Sequence, residues 1–428
     1  MSTANDDWKS NLLVNNAGTP RPLLANAIVA LREAPAWSGV LAYDEFARET
    51  VLRAAPPWQR QAKPQIWAPC AWTSHDDLLA ADWLQHEEIA VTAAVTQQAV
   101  EAVARDASFH PVVDYLGGLK HDGMLRLDNW LCEYLGASRT AYHREVGRII
   151  LIGAVARIHQ PGCKVDSVPI FEGPQGAKKS TAVRTLFDPW FSDELADLGS
   201  KDSAMQTRGV WGLELSELDA MSRGEVSRIK AFVSRTNDRF RPPYGSRIIE
   251  SPRSCVFWGT TNADGYLKDE TGGRRFLPVQ IGRIKVDRLV ADRDQLWAEA
   301  VAAYRAGKPW WITSRQAQGD AEQHQRERYA GDAWDEPIGA YIAGRASVTI
   351  GEILRDAVHL DIGRWGQAEL NRVARCLRSL KWHRRQVRTG DRRQWHYFRP
   401  MQTSDEEADG EDQTGNVTSL KAVTDKKR

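Results

Sequence analysis

A chain of 428 residues exceeds what one hydrophobic core supports, so two or three domains are expected. Its apolar content is 42% and its formal net charge +1, which fits a soluble globular protein; no apolar run approaches a membrane span, and the start (MSTANDDWKS) lacks the apolar core of a signal peptide. Five scattered cysteines, with no C-x-x-C pair, argue against structural zinc and point to reduced thiols in a cytoplasm.

Residues 1–20 are polar, lack periodicity and are expected to be disordered. A small N-terminal α+β module follows at 20–110, with a helix at 23–32, a strand at 39–43, a loop at 53–63 and helices at 76–84 and 92–107. The block 110–163 reads as a helical collar, its segments 125–135 and 141–159 carrying apolar residues at helical spacing before Pro161-Gly162 ends it. From 164 to 315 strands (168–171, 210–215, 255–260, 276–279) alternate with helices (179–186, 223–234, 287–306), the pattern of a parallel-sheet α/β domain. A helical linker at 316–340 leads to a module at 340–400 where arginines accumulate; the tail 401–428, acidic at 404–412 and then basic, is expected to be disordered. No internal repeat is present, and the seventeen tryptophans read mostly as core or interface anchors.

The stretch Gly173-Pro174-Gln175-Gly176-Ala177-Lys178-Lys179-Ser180-Thr181 is nearly the phosphate loop G-x-x-x-x-G-K-[ST], and it joins a predicted strand to a predicted helix. Such a loop turns successive backbone N–H groups toward an anion, and the following helix adds its positive dipole end. Lys179 is placed to reach the β- and γ-phosphates of ATP, and Ser180 to hold Mg²⁺. Lys178 stands where the motif has glycine, so its side chain must point away or cost about 1 kcal/mol of strain. Downstream, Glu214 lies within an apolar strand and Glu217 just past its end, where open α/β sheets place their ligands. Glu217 is therefore the favoured Mg²⁺ and water-positioning acid, with Glu214 second. Asn262 ends an apolar strand and could sense the γ-phosphate, although alone it equally suits the turn Asn-Ala-Asp-Gly. Arg274 and Arg275 in a Gly-Gly-Arg-Arg turn could reach a neighbouring subunit's nucleotide, although solvated or acid-paired arginines are the commoner case for such a pair.

Several segments in order, HPVVDYLGGLKHDGMLRLDNWL, EGPQGAKKSTAVRTL, ELSELD, IKAFVSRTNDRFRPPYG and CVFWGTTNADGYLKDETGGRRFLPV, resemble the virulence-associated protein E family. These are phage and prophage replication ATPases related to superfamily 3 helicases. The resemblance spans about 110–311 and implies a P-loop NTPase core of AAA+ type in a ring-forming oligomer, such as a hexamer, acting on DNA. It places Lys179 and Ser180 in the nucleotide loop, Glu217 in the acidic motif, Asn262 at the sensor position, and Arg274 or Arg275 at the arginine finger. The sequence does not distinguish the last two. Larger relatives often carry a primase-polymerase module at the N-terminus; 20–110 is too short for one, although a separate primase could be a partner.

Arg239, Arg241, Tyr244 and Arg247 lie in a proline- and glycine-rich turn, where superfamily 3 helicases place a DNA-gripping hairpin. In the last module, helices at 349–358 and 367–380 precede a basic hairpin, a pattern resembling a winged helix. Arg372, Arg375 and Arg378 are expected on the outer face of the second helix, and Arg384, Arg385, Arg388, Arg392 and Arg393 on the hairpin, facing DNA phosphates. The sequence thus reads as a replication ATPase of helicase type, with ATP, Mg²⁺ and single-stranded or origin DNA as its ligands. The rival is a non-motor initiator or interference protein in which ATP binding switches assembly.

Overall fold

The computed structural model describes residues 7–59, 67–194, 201–216, 223–241, 248–262, 266–267, 275–328, 333–389 and 392–399. By internal contacts the chain divides into two units, 1–330 and 331–428. The fold is mixed α/β with a parallel sheet, and no helix among the described residues is long and apolar enough to cross a membrane.

Residues 7–20, expected to be disordered, instead pack on the first unit: a 3-10 helix (Asp7–Asn11) buries Trp8, and Leu12 joins the same core. Helix α1 (Leu24–Glu33) follows, set by the buried Asn26, whose side chain accepts from the Leu13 N–H and donates to the Leu13 carbonyl at 2.7 and 2.8 Å. Strands β1 (Leu41–Asp44), β2 (Glu49–Leu52), β3 (Cys70–Ala71) and β4 (Ser108–Phe109) form one small sheet in the order β3-β2-β1-β4. Three of these strands had no counterpart in the sequence reading, because they are two to four residues long and lack a clean alternation. Helices α2 (Ser74–His86) and α3 (Ala93–Asp106) complete the module. Thr73 and Asp76 form a capping box at the start of α2. The core collects tryptophans, Trp37 contacting Trp83 and Trp58 at 5.6 and 5.7 Å, as expected of anchors.

Next come α4 (Pro111–Gly118), α5 (Trp130–Leu135) and α6 (Ala141–His159). The helix expected over 125–135 is confined to α5. Its first part is held instead by tertiary contact: the backbone N–H groups of Arg126 and Leu127 donate to Glu299 Oε2 at 2.6 and 3.0 Å. A carboxylate from a distant helix thus replaces the turn-to-turn bonds. Helix α6 is buried nearly all round, as a helix in the middle of a large core must be.

The central sheet contains β5 (Val168–Glu172), β6 (Phe191–Ser192), β7 (Gly212–Leu215), β10 (Val256–Thr261) and β11 (Phe276–Gln280), in the order β11-β5-β10-β7-β6, with every pair parallel. Between these strands run α7 (Lys179–Phe187), α8 (Lys201–Gln206), α9 (Arg223–Val233), and the hairpin β8 (Asn237–Phe240) and β9 (Ile249–Pro252). Strands β5, β7 and β10 are buried at every residue, as in a parallel sheet covered on both faces. Alternation sends Leu213 and Leu215 to the α9 side, whereas Gly212 and Glu214 face α7. Gly212 must lack a side chain, since a Cβ there would lie 2.3 Å from the Phe187 ring. Helices α10 (Val286–Arg305) and α11 (Arg315–Glu327) close the unit, the chain entering α11 where Thr313 and Ser314 N–H groups donate to the buried Glu145.

The second unit comprises α12 (Asp335–Ile342), β12 (Ser347–Val348), α13 (Ile350–Glu352) continuing into a π turn at Ile353–Ala357, α14 (Gln367–Ser379), β13 (His383–Thr389) and β14 (Arg392–Phe398). The strands form an antiparallel sheet, β12-β14-β13, over a core that includes Ile338, Val348, Val373, Leu377 and Tyr397. The two helices and the hairpin match the sequence reading, and α12 begins within the helical linker expected over 316–340; β12 was not anticipated.

Candidate functional site

The chain leaves β5 toward β6 on one side and finishes the sheet with β11 on the other. At such a switch point a crevice opens outside the carboxyl ends of the strands, and residues 173–178 fill its rim. Gly176 and Lys178 both adopt the left-handed conformation, with φ of 79° and 64°. Lys178 is also the N-cap of α7, so the residue in glycine's place keeps glycine's backbone. The helix start directs its unbonded N–H groups into the crevice.

Two side chains of α7 then reach across. Lys179, 8% exposed, donates through Nζ to the carbonyls of Gly173 and Pro174 at 2.6 and 3.0 Å and to Asn262 Oδ1 at 2.7 Å. Ser180 Oγ donates to Glu214 Oε1 at 2.6 Å, and Thr260 Oγ1 donates to the same oxygen at 2.6 Å. Glu214 is 1% exposed, and its Oε2 has no hydrogen-bond partner among the described residues. The loop, the acid and the amide therefore meet at the ends of β5, β7 and β10. Residues 175–181, Ser216, Thr260, Thr261 and Asn262 line a cavity of about 330 Å³, and the buried Glu214 reaches it only through its bonds to Ser180 and Thr260. A second cavity, of about 760 Å³, shares Gly176, Ala177 and Lys178 and extends over Arg283, Ile284 and Lys285.

The acid brought to the loop is Glu214, which had ranked second on sequence; Glu217 lies outside the described residues. Arg275 immediately precedes β11 at the end of the sheet away from the loop, its neighbour Phe276 pairing with Val168, and its Nε faces Asp166 at 3.6 Å. It does not reach the loop of its own chain. Arg274, Tyr244 and Arg247 lie outside the described residues.

A polar cluster behind the loop escaped the sequence reading. Glu172, the last residue of β5, accepts two bonds from Arg328 at 2.7 and 2.9 Å and one from the Tyr266 hydroxyl at 2.8 Å. Burial pushes the Tyr266 hydroxyl well above its usual range, with the Glu172 charge adding to the effect. Beside it His143 is held down to about 4, first by burial and then by the nearby His324 and Arg328. A carboxylate immediately ahead of a phosphate loop, at the end of an otherwise apolar strand, was the available signal.

A family model, that of the virulence-associated protein E-like domain, matches residues 116–330, about half of the chain. The chain belongs to the virulence-associated protein E-like family. That span of the virulence-associated protein E-like chain contains the loop, Glu214, Asn262 and the Glu172–Arg328 cluster. Apo structures of the NrS-1 C-terminal region are similar to it at 10% and 11% identity. Each has a TM-score of 0.43 and covers 84% of this chain and 95% of its own. A further form has 11% identity and a TM-score of 0.40, covering 76% and 81%. No curated protein matches the chain.

The expected DNA-contact residues are distributed unevenly. Arg239 lies on β8 opposite Glu250, 4.0 Å from its carboxylate, and Arg241 is exposed at the described end of the same hairpin. On α14 the outer face expected of three arginines is reduced to Arg378. Arg372 instead lies 4.0 Å over the Trp334 ring, and Arg375 is half-buried with its Nε enclosed, because α12 packs on this side of the helix. On the hairpin, Arg384 stacks on Trp395 at 3.9 Å, and strand register places Arg388 opposite Arg393 and Thr389 opposite Arg392. Arg385 lies on the other face of the sheet.

Proposed function

We propose that the chain is a P-loop ATPase with an AAA+, superfamily 3 helicase-like core, which couples ATP hydrolysis to movement of single-stranded DNA during replication of a phage, prophage or other mobile element. The observation that carries this reading is the bond from Ser180 to Glu214, made beneath a phosphate-sized crevice at the ends of parallel strands. The helix start and Lys179 suit the triphosphate, and the adjoining cavity over 283–285 suits the base and sugar. Ser180 Oγ and the partnerless Glu214 Oε2 form an oxygen set that fits Mg²⁺, which usually keeps water and phosphate ligands of its own. When bound, that ion supplies charge neutralisation at the β- and γ-phosphates.

Water, oriented by Glu214 or Glu217, attacks the γ-phosphorus and gives its proton to the carboxylate. The bond to the β–γ bridging oxygen breaks, and ADP leaves with phosphate. Asn262, already joined to Lys179, reports whether a γ-phosphate is present. Arg274 or Arg275 of an adjacent copy in a ring completes the site. The β8–β9 hairpin and a winged-helix-like C-terminal unit contact DNA, in a cytoplasmic setting.

The switch reading is favoured by one feature: three oxygens already hold the Lys179 amine, so a triphosphate must displace them. DNA-stimulated ATP hydrolysis by the parent and by Lys179→Ala separates the two. A motor loses both turnover and strand displacement in the variant. ATP binding with no turnover in the parent would overturn the motor reading and leave the switch.

A further inference from the structure

The second unit carries a surface that neither the loop nor the expected recognition helix uses. Register along the antiparallel sheet puts His383 and Ser347 on either side of Phe398, and Arg385 beside His396. On the opposite face, Tyr397 and Val348 are 3% and 1% exposed within the core, so alternation turns Phe398, His396, His383 and Arg385 away from it. The Phe398 and His396 rings lie 6.3 Å apart on this outer face, and Phe398 is half-buried.

A cavity of about 580 Å³ opens at the Phe398 end, lined by Arg345, His383, Arg385, Phe398 and Arg399. All three arginines are exposed, and no carboxylate lines the cavity among the described residues. Arg345 is fixed by its Nε bond to the Tyr341 carbonyl at 3.0 Å, its guanidinium lying 4.1 Å from that ring's centroid. Positive charge thus surrounds an aromatic ring on a sheet face, in a space large enough for a nucleotide.

We propose that this face binds single-stranded DNA, with a base stacked on Phe398 and its flanking phosphates held by Arg345, Arg385 and Arg399. Duplex DNA does not fit the same chemistry, because its bases are stacked on each other and cannot present a face to the ring. The site extends the reading of the second unit as a DNA-binding module, yet it uses the face away from Arg384, Arg388 and Arg393.

The full-length protein is photocrosslinked to a single-stranded oligonucleotide carrying 5-iodouracil, and the modified residue is identified by mass spectrometry. Adduct at Phe398 or His396 is the expected result; adducts confined to other residues overturn the proposal. In parallel, binding of single-stranded and duplex oligonucleotides is titrated against salt. Arg385→Gln/Arg399→Gln should reduce the single-strand salt slope by about 1.4, two phosphates at about 0.7 each. Phe398→Leu should weaken single-strand binding about tenfold, with duplex binding and thermal melting unchanged in both variants. Equal losses on both DNAs, or none, overturn the site but leave duplex binding by the unit intact. A parent protein that binds neither DNA overturns both.

Discussion

Left-handed backbone at a residue that bears a Cβ costs about 1 kcal/mol, and Lys178 adopts it at the turn into α7. The strain is local and sits at the rim of the crevice. Glycine and alanine separate the two contributions of this residue, since glycine relieves the backbone while both remove the charge. Lys178→Gly is expected to be more stable than Lys178→Ala by about 1 kcal/mol, read from denaturant unfolding. If the amine serves the triphosphate, both variants bind ATP more weakly to a similar degree. A loss seen in Lys178→Ala alone would assign the effect to loop geometry, and equal stability of the two variants would refute the strain. The neighbouring Lys179 needs no such account, because α7 begins in ordinary helical geometry and its amine is fully engaged.

Between elements, the contact of α6 with α11 is where acidity acts on the fold. His143 on α6 is buried and donates to or accepts from Thr140 Oγ1 at 2.8 Å, while His324 and Arg328 face it from the α11 side. Its folded-state value of about 4 lies below the ordinary 6.5, so the folded protein keeps it neutral where the unfolded chain takes up a proton. Stability from this residue is therefore complete above about pH 6.5 and lost progressively as pH falls to about 4, with no further loss below. Unfolding free energies across that window should fall more steeply for the parent than for His143→Gln; parallel curves would rule the residue out. Arg328 also grips Glu172, the last residue of β5, directly ahead of the loop 173–178. The pairing was not legible in the chain, because Glu172 opens the loop segment whereas its partner Arg328 lies 156 positions away and outside every motif. What was legible had local causes. Apolar runs bounded by glycine gave β5, β7 and β10, and helical periodicity gave α6, α10 and α14. The segment before α5 was misread as helix because its N–H groups are satisfied by Glu299, about 170 residues away.

At the scale of the molecule, the position of Arg275 bears on assembly. Within one chain it stands a full strand length from the loop, about 13 Å along β5 at about 3.3 Å per residue, and it is turned toward Asp166. If a guanidinium so placed serves a loop at all, that loop belongs to another copy, which requires a head-to-tail contact, closing into a ring or running on as a filament. The arrangement can be tested by mixing two silent variants. Lys179→Ala keeps the arginines but has no working loop, while Arg274→Ala/Arg275→Ala keeps the loop but offers its neighbour no guanidinium. Each alone should hydrolyse ATP poorly. Combined in equal amounts, about a quarter of the interfaces pair an intact loop with an intact arginine pair, and turnover should recover in that proportion. Native mass spectrometry of the same mixture establishes that the variants co-assemble. Recovery would place the finger in trans, whereas mixed oligomers without recovery would rule out an arginine supplied by the neighbouring copy.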